Sequence, residues 1–145
     1  VGCCFLLGNI SLAAEPNGFL KIEGKYVKHL VLNGKSFDEP NEIISLPPGI
    51  YRLSEIRLQG DFVSHPYKIA SSKINIEENK TTLLKMGAPL NQSVDVLRKG
   101  NSLILNYQLQ GIGGELYFPE MRDDPPKCTI YAGDKEIANC SFKYG

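Results

Sequence analysis

Four carboxylates crowd one short segment: Glu115, Glu120, Asp123 and Asp124 lie in and around Pro119-Glu120-Met121-Arg122-Asp123-Asp124-Pro125-Pro126. Oxygen donors at that density suit a hard cation, and calcium takes about six to eight oxygens. The segment lacks the spaced Asp/Asn-Gly pattern of an EF-hand, and Arg122 sits inside it, so a solvated acidic loop is the competing reading. Hydrolytic chemistry would need a nucleophile, a base and a group to orient the base. His29 alternates with Lys28 and Leu30 in a strand pattern, and His65 precedes Pro66 in a loop. Neither falls in a nucleophile or metal motif, so both read as structural or solvated. No catalytic residue is assigned, and no cofactor is expected. Gly111, Gly113 and Gly114 do not complete a GxGxxG, and Glu115 to Phe118 behind them is extended rather than helical, so they read as a turn or bulge and not as a phosphate loop.

Cys128 and Cys140 flank a hairpin pattern. A three-residue loop at Gly133 to Lys135 would set them directly opposite one another, and a loop one residue shorter would throw them out of register. A disulfide is therefore the candidate chemistry, since no CxxC or histidine lies nearby to make a metal site. Tyr51, Tyr67, Tyr107, Tyr117, Tyr131 and Tyr144 with Phe62 and Phe118 could stack on a carbohydrate. There is no tryptophan, and several of these rings alternate with apolar residues, which suits a core with the hydroxyl reaching the surface. Asn79, Asn91 and Asn139 begin glycosylation acceptor triplets, which matter only in a eukaryotic secretory pathway.

The chain that must position these groups has 145 residues, 42% of them hydrophobic and 22% charged, a composition that folds. Basic and acidic residues balance at 16 each, which argues against nucleic acid as a partner. The cations Lys21, Lys25, Lys28 and Lys35 read as the wet face of a hairpin. Residues 1–14 carry no charge and end in Ser11-Leu12-Ala13-Ala14, the pattern of a signal-peptide hydrophobic region that is too short to span a bilayer. Export to the periplasm, cell surface or extracellular space follows as an expectation, with a lipoprotein anchored at Cys3 as the alternative. No membrane span is expected after cleavage. The start at Val1 and the end at Gly145 both read as truncation points.

Alternation of apolar and polar residues recurs between turn signals, so the chain is expected to be all-β. Strands are expected at Phe19 to Glu23, Tyr26 to Leu32, Glu42 to Leu46, Ile50 to Leu58, Tyr67 to Ile69, Lys73 to Glu77 and Thr81 to Lys85. More follow at Ser93 to Leu97, Leu103 to Gln110, Glu115 to Phe118, 127–132 and 136–143. Within Ile50 to Leu58 the apolar face moves from Tyr51 and Leu53 to Ile56 and Leu58, a change of parity that predicts a β-bulge at Ser54 or Glu55. Met86-Gly87-Ala88-Pro89-Leu90 separates two strand sets, giving residues 15–86 and 87–145 as two small antiparallel β-sandwich units in tandem.

Asn33-Gly34-Lys35 followed by Leu46-Pro47-Pro48-Gly49-Ile50-Tyr51 resembles the prealbumin-like β-sandwich modules of the carboxypeptidase regulatory-like and PEGA types. The likeness covers about residues 17–86. The second half, through Gly111-Ile112-Gly113-Gly114-Glu115-Leu116-Tyr117, is similar to secreted proteins of environmental bacteria and implies an immunoglobulin-like sandwich. Such modules are accessory, and none supplies a catalytic residue to transfer. The expected function is that of a non-catalytic exported structural or protein-interaction module contacting a protein or cell-surface component. A carbohydrate- or calcium-binding accessory module is the alternative.

Overall fold

The computed structural model describes residues 16–66, 72–121 and 124–143. The expected export segment, the strand at Tyr67 to Ile69, Asp123 and Tyr144 lie outside them. The described residues form an all-β, sandwich-like fold of several sheets. Its first half contains β1 (Gly18–Glu23), β2 (Val27–Leu32), β3 (Lys35–Asp38), β4 (Ile43–Leu46), β5 (Gly49–Leu58), β6 (Phe62–Ser64), β7 (Lys73–Ile76) and β8 (Thr81–Lys85). The second half contains β9 (Asn91–Lys99), β10 (Ser102–Gln110), β11 (Phe118–Pro119), β12 (Lys127–Ala132) and β13 (Lys135–Ser141). Among the described residues no helix is long and apolar enough to cross a membrane.

One layer is the sheet β4-β1-β8 and the other is β11-β6-β5-β2-β3, with β7 added to β5. The alternation in the sequence becomes their inner faces. Leu20, Ile22, Ile44, Leu46 and Leu84 from the smaller sheet join Leu30, Leu32, Leu53, Ile56, Leu58, Ile74 and Ile76 in one buried cluster. One pairing departs from the antiparallel expectation, because β1 and β8 run parallel, with Leu20 beside Thr82 and Ile22 beside Leu84.

The bulge falls where the parity change requires it. Val31 pairs with Glu55 but Leu32 pairs with Leu53, leaving Ser54 as the extra residue. The turn at Asn33-Gly34-Lys35 and the segment Pro47 to Arg52 also meet. The Arg52 N–H donates to Asn33 Oδ1 at 2.7 Å, Asn33 Nδ2 donates to the Ile50 carbonyl at 3.2 Å, and the Tyr51 hydroxyl donates to the Pro47 carbonyl at 2.9 Å.

The strands of the second half pair as hairpins. They form two separate two-stranded sheets, β9 with β10 and β12 with β13, and every side chain of β9 is exposed. The deeply buried hydrophobic residues of this half, Leu109 and Tyr117, belong to the core of the first half. The hairpins meet at Tyr107 and Phe142, whose ring centroids are 5.4 Å apart.

In the last hairpin Cys128 stands directly opposite Cys140, by a different route from the one expected. Ala132 pairs with Lys135, so the loop is the two residues Gly133 and Asp134, and the register would be off by one. A bulge restores it: Tyr131 pairs with Glu136 but Ile130 pairs with Ala138, leaving Ile137 extra. The Phe142 N–H donates to the Pro126 carbonyl at 2.9 Å. By alternation Cys128 and Cys140 are then a hydrogen-bonded pair, with Cα atoms about 5.5 Å apart, within the range a disulfide spans. Both are free thiols here, and the hydrogen bond with Cys128 raises the Cys140 thiol above its ordinary range. Oxidised glutathione is expected to convert the pair to an intramolecular disulfide, read as the loss of two hydrogens in intact mass. The bond should add up to about 3 kcal/mol of stability. Deleting Ile137 should suppress it by moving Cys140 off the opposing position. Unchanged oxidation in the deletion variant would refute this account of the register.

Candidate binding groove

Two members of the acidic set are engaged by the protein itself. Glu115 is buried, and its carboxylate is already satisfied: Gly87 N–H and the Tyr117 hydroxyl donate to Oε1 at 2.6 and 2.8 Å, and Gly113 N–H donates to Oε2 at 3.0 Å. Glu120 is ion-paired with Arg57. Asp124 is exposed. Among the described residues no group of three or more His, Cys, Asp or Glu side chains could hold a metal ion.

The glycine run explains how the carboxylate enters the protein. A Cβ at Gly111 would stand 2.2 Å from Glu115 Oε1, and one at Gly113 would stand 2.0 Å from the Lys85 carbonyl oxygen. The turn therefore needs glycine for close approach, as its composition suggests. Ile112 N–H donates to the Gly87 carbonyl at 3.1 Å, and the Lys25 and Ala88 backbones exchange bonds at 3.0 and 3.1 Å. The segment between the two strand sets is thus clasped on both sides.

Burial, then the charge of Glu115 and the bond to it, push the Tyr117 hydroxyl above the ordinary phenol range. Above about pH 10 an unfolded chain loses this proton while the folded chain keeps it. The contribution to stability is fully present below that pH and falls above it, by up to about 1.4 kcal/mol per pH unit. Tyr117→Phe is expected to flatten the alkaline fall of the urea midpoint relative to the parent. Parallel pH curves for the two proteins would contradict this.

The two histidines are not remote from the acids. His29 pairs with Asp38 across β2 and β3, with Nδ1 and Oδ1 2.5 Å apart, and lies opposite Arg57 on β5. Arg57 Nε donates to Glu55 Oε1 at 2.6 Å, and His65 Nδ1 is 3.9 Å from Glu55 Oε2. The hydrogen bond from Arg57 is the main cause that holds the Glu55 carboxyl below its ordinary range. His29, Glu55, Arg57, His65 and Glu120 thus share the outer face of the larger sheet, an ionic lattice that the sequence order concealed.

Beside this lattice opens a groove of about 1410 Å³ between the β6 and β11 end of the larger sheet and the two hairpins. Phe62, Tyr107, Phe118 and Phe142 supply aromatic surface to it, and Gln92, Asn106 and Gln108 supply amides. His65 and Asp124 line it too, and Lys127 and Lys143 add positive charge. Of the tyrosines expected in the core, Tyr117 is buried, Tyr51 and Tyr107 are half-buried, and Tyr131 is exposed. Asn79, Asn91 and Asn139 are all exposed. No signal short of the folded topology places rings from positions 62, 107, 118 and 142 around one space.

No family model, curated protein or solved structure matches this chain.

Proposed function

We propose that this chain is a non-catalytic interaction module of an exported protein, and that its groove receives a segment of a partner protein. The groove carries the reading. At about 1410 Å³ it exceeds the usual range of small-molecule pockets, and it is open and lined by aromatic rings with a few polar groups. Exposed apolar side chains on the hairpin beside it, among them Val96 and Leu103, give a partner further surface to cover. The first half is taken as a prealbumin-like module of the carboxypeptidase regulatory-like or PEGA type, and the second as an immunoglobulin-like half contributing the hairpins. The ionic lattice supports a structural role for the histidines, since Arg57 engages both Glu55 and Glu120 and Asp38 engages His29.

The second reading, a carbohydrate-binding module, is favoured by the combination of aromatic rings and the amides of Gln92, Asn106 and Gln108. A random-peptide display library and a glycan array, each screened with the chain and with its Phe118→Asp variant, separate the two. Phe118 is about half exposed, so its replacement leaves the core intact. Peptides enriched by the parent and lost with Phe118→Asp are the expected result. Glycans enriched in the same manner, with no peptides, would establish the second reading instead.

A further inference from the structure

The groove wall contributed by β10 consists of consecutive residues, Leu105, Asn106, Tyr107, Gln108 and Leu109. Consecutive lining means that the strand presents its edge, and with it backbone groups, rather than one face. Tyr117 N–H donates to the Leu109 carbonyl at 2.8 Å, and Gly111 N–H donates to the Glu115 carbonyl at 2.8 Å, so the odd-numbered residues of this stretch point their backbone groups away from β9. The even-numbered residues, Ile104, Asn106 and Gln108, make the ladder to β9 opposite Leu97, Asp95 and Ser93. The chain itself occupies the start of the outward edge, where Leu116 bridges Gln110 in antiparallel sense. After Tyr117 the chain leaves to form β11 against β6. The remaining outward groups, those of Leu103, Leu105 and Tyr107, have no strand beside them among the described residues.

From this we infer that the groove accepts its partner by strand addition: an extended acidic peptide segment with alternating apolar side chains pairs antiparallel with Leu103 to Tyr107, continuing the line that Leu116 and Tyr117 begin. This rests on the reading of the groove as a protein-binding site. Main-chain hydrogen bonds would supply affinity and the aromatic rings would take alternate side chains. Lys127 and Lys143 favour carboxylates on the peptide, with Asp124 the one acid on the described wall. Saccharide hydroxyls can meet such backbone groups singly but cannot continue a ladder of alternating donors and acceptors at peptide spacing, which is why the edge favours a polypeptide.

The probe is a short synthetic peptide in which valine and threonine alternate between terminal glutamates, titrated into the full chain by calorimetry. Two versions carry backbone N-methyl groups on one or the other alternate set of residues, with side chains unchanged. Strand addition predicts that one set weakens binding at least about tenfold while the other leaves it nearly unaltered. Exchanging the glutamates for lysines should also weaken it about tenfold. On the protein, Leu105→Pro removes an outward N–H and spares the ladder to β9, so it should abolish binding with the β-type spectrum retained. Equal effects of the two methylated sets, or no binding of the parent peptide, would overturn strand addition. Binding that ignores methylation but is lost with Phe118→Asp would overturn it while leaving the groove a protein-binding site.

Discussion

Replacing Glu115 by alanine is expected to lower the unfolding free energy by about 3 kcal/mol, far more than the loss of an exposed glutamate would. The carboxylate accepts from three donors: two backbone N–H groups, of Gly87 and Gly113, and the Tyr117 hydroxyl. Glu115 itself is 4% exposed, so alanine would leave these donors in a site that water does not readily reach. Each stranded donor costs about 1 kcal/mol or more, which sets the total. For a chain of this size the melting point should fall by roughly 10 °C. Glu115→Gln keeps one acceptor oxygen but turns an amide N–H toward a donor, so it should lie between parent and alanine. Tyr117→Phe removes one of the three bonds and should cost about 1 kcal/mol at neutral pH. Urea denaturation of the three variants orders them. An alanine variant within about 0.5 kcal/mol of the parent would show that the clasp contributes nothing to stability.

Glu115 also marks where reading the sequence reaches its limit. In the sequence it is one of four acids near a proline-rich loop, and such a cluster suggests a cation. Its partner Gly87 is 28 positions away and contributes only a backbone N–H, which no side-chain pattern advertises. The glycine run before it was readable as a tight turn, but not as the clearance that admits a carboxylate to the interior. The alternating strands were legible because each turns one apolar face to a common core, and the Ser54 bulge was legible because two such faces cannot share one parity. β3 escaped because Phe37 is the only large apolar side chain in Lys35–Asp38, and β6 because three residues carry no period. The parallel pairing of β1 with β8 is a long-range choice without a local signature. In the second half the alternation marks the strands but not their partners: β9 pairs with β10 and β12 with β13, while Leu109 and Tyr117 join the core of the first half. Cys128 stands opposite Cys140 through two compensating features that no local pattern announces, a two-residue loop and an extra residue at Ile137.

Deleting Ser54 is expected to prevent folding at ordinary temperature, whereas Ser54→Ala should change stability by about 0.5 kcal/mol at most. The serine side chain is exposed and makes one long bond, Oγ to the Val31 carbonyl at 3.3 Å, so its chemistry matters little. Its presence as a residue matters a great deal. With Ser54 in place, Leu53 is 3% exposed and Ile56 fully buried, although they differ in parity along β5. Without it the stretch from Gly49 to Leu53 must turn over relative to the ladder, directing Arg52 inward and Leu53 outward. Exposing one leucine costs about 2 kcal/mol, and turning an arginine into an apolar interior costs several more. The same turnover would break the pairing of Tyr51 with Ile74 and the bonds from Asn33 to the Arg52 and Ile50 backbones. The sum exceeds about 5 kcal/mol, comparable to the whole stability of a domain this size. Circular dichroism and thermal unfolding of the deletion and the alanine variant decide the matter. A deletion variant melting within a few degrees of the alanine variant would mean that β5 can re-register without the bulge. The parity argument for the core would then be wrong.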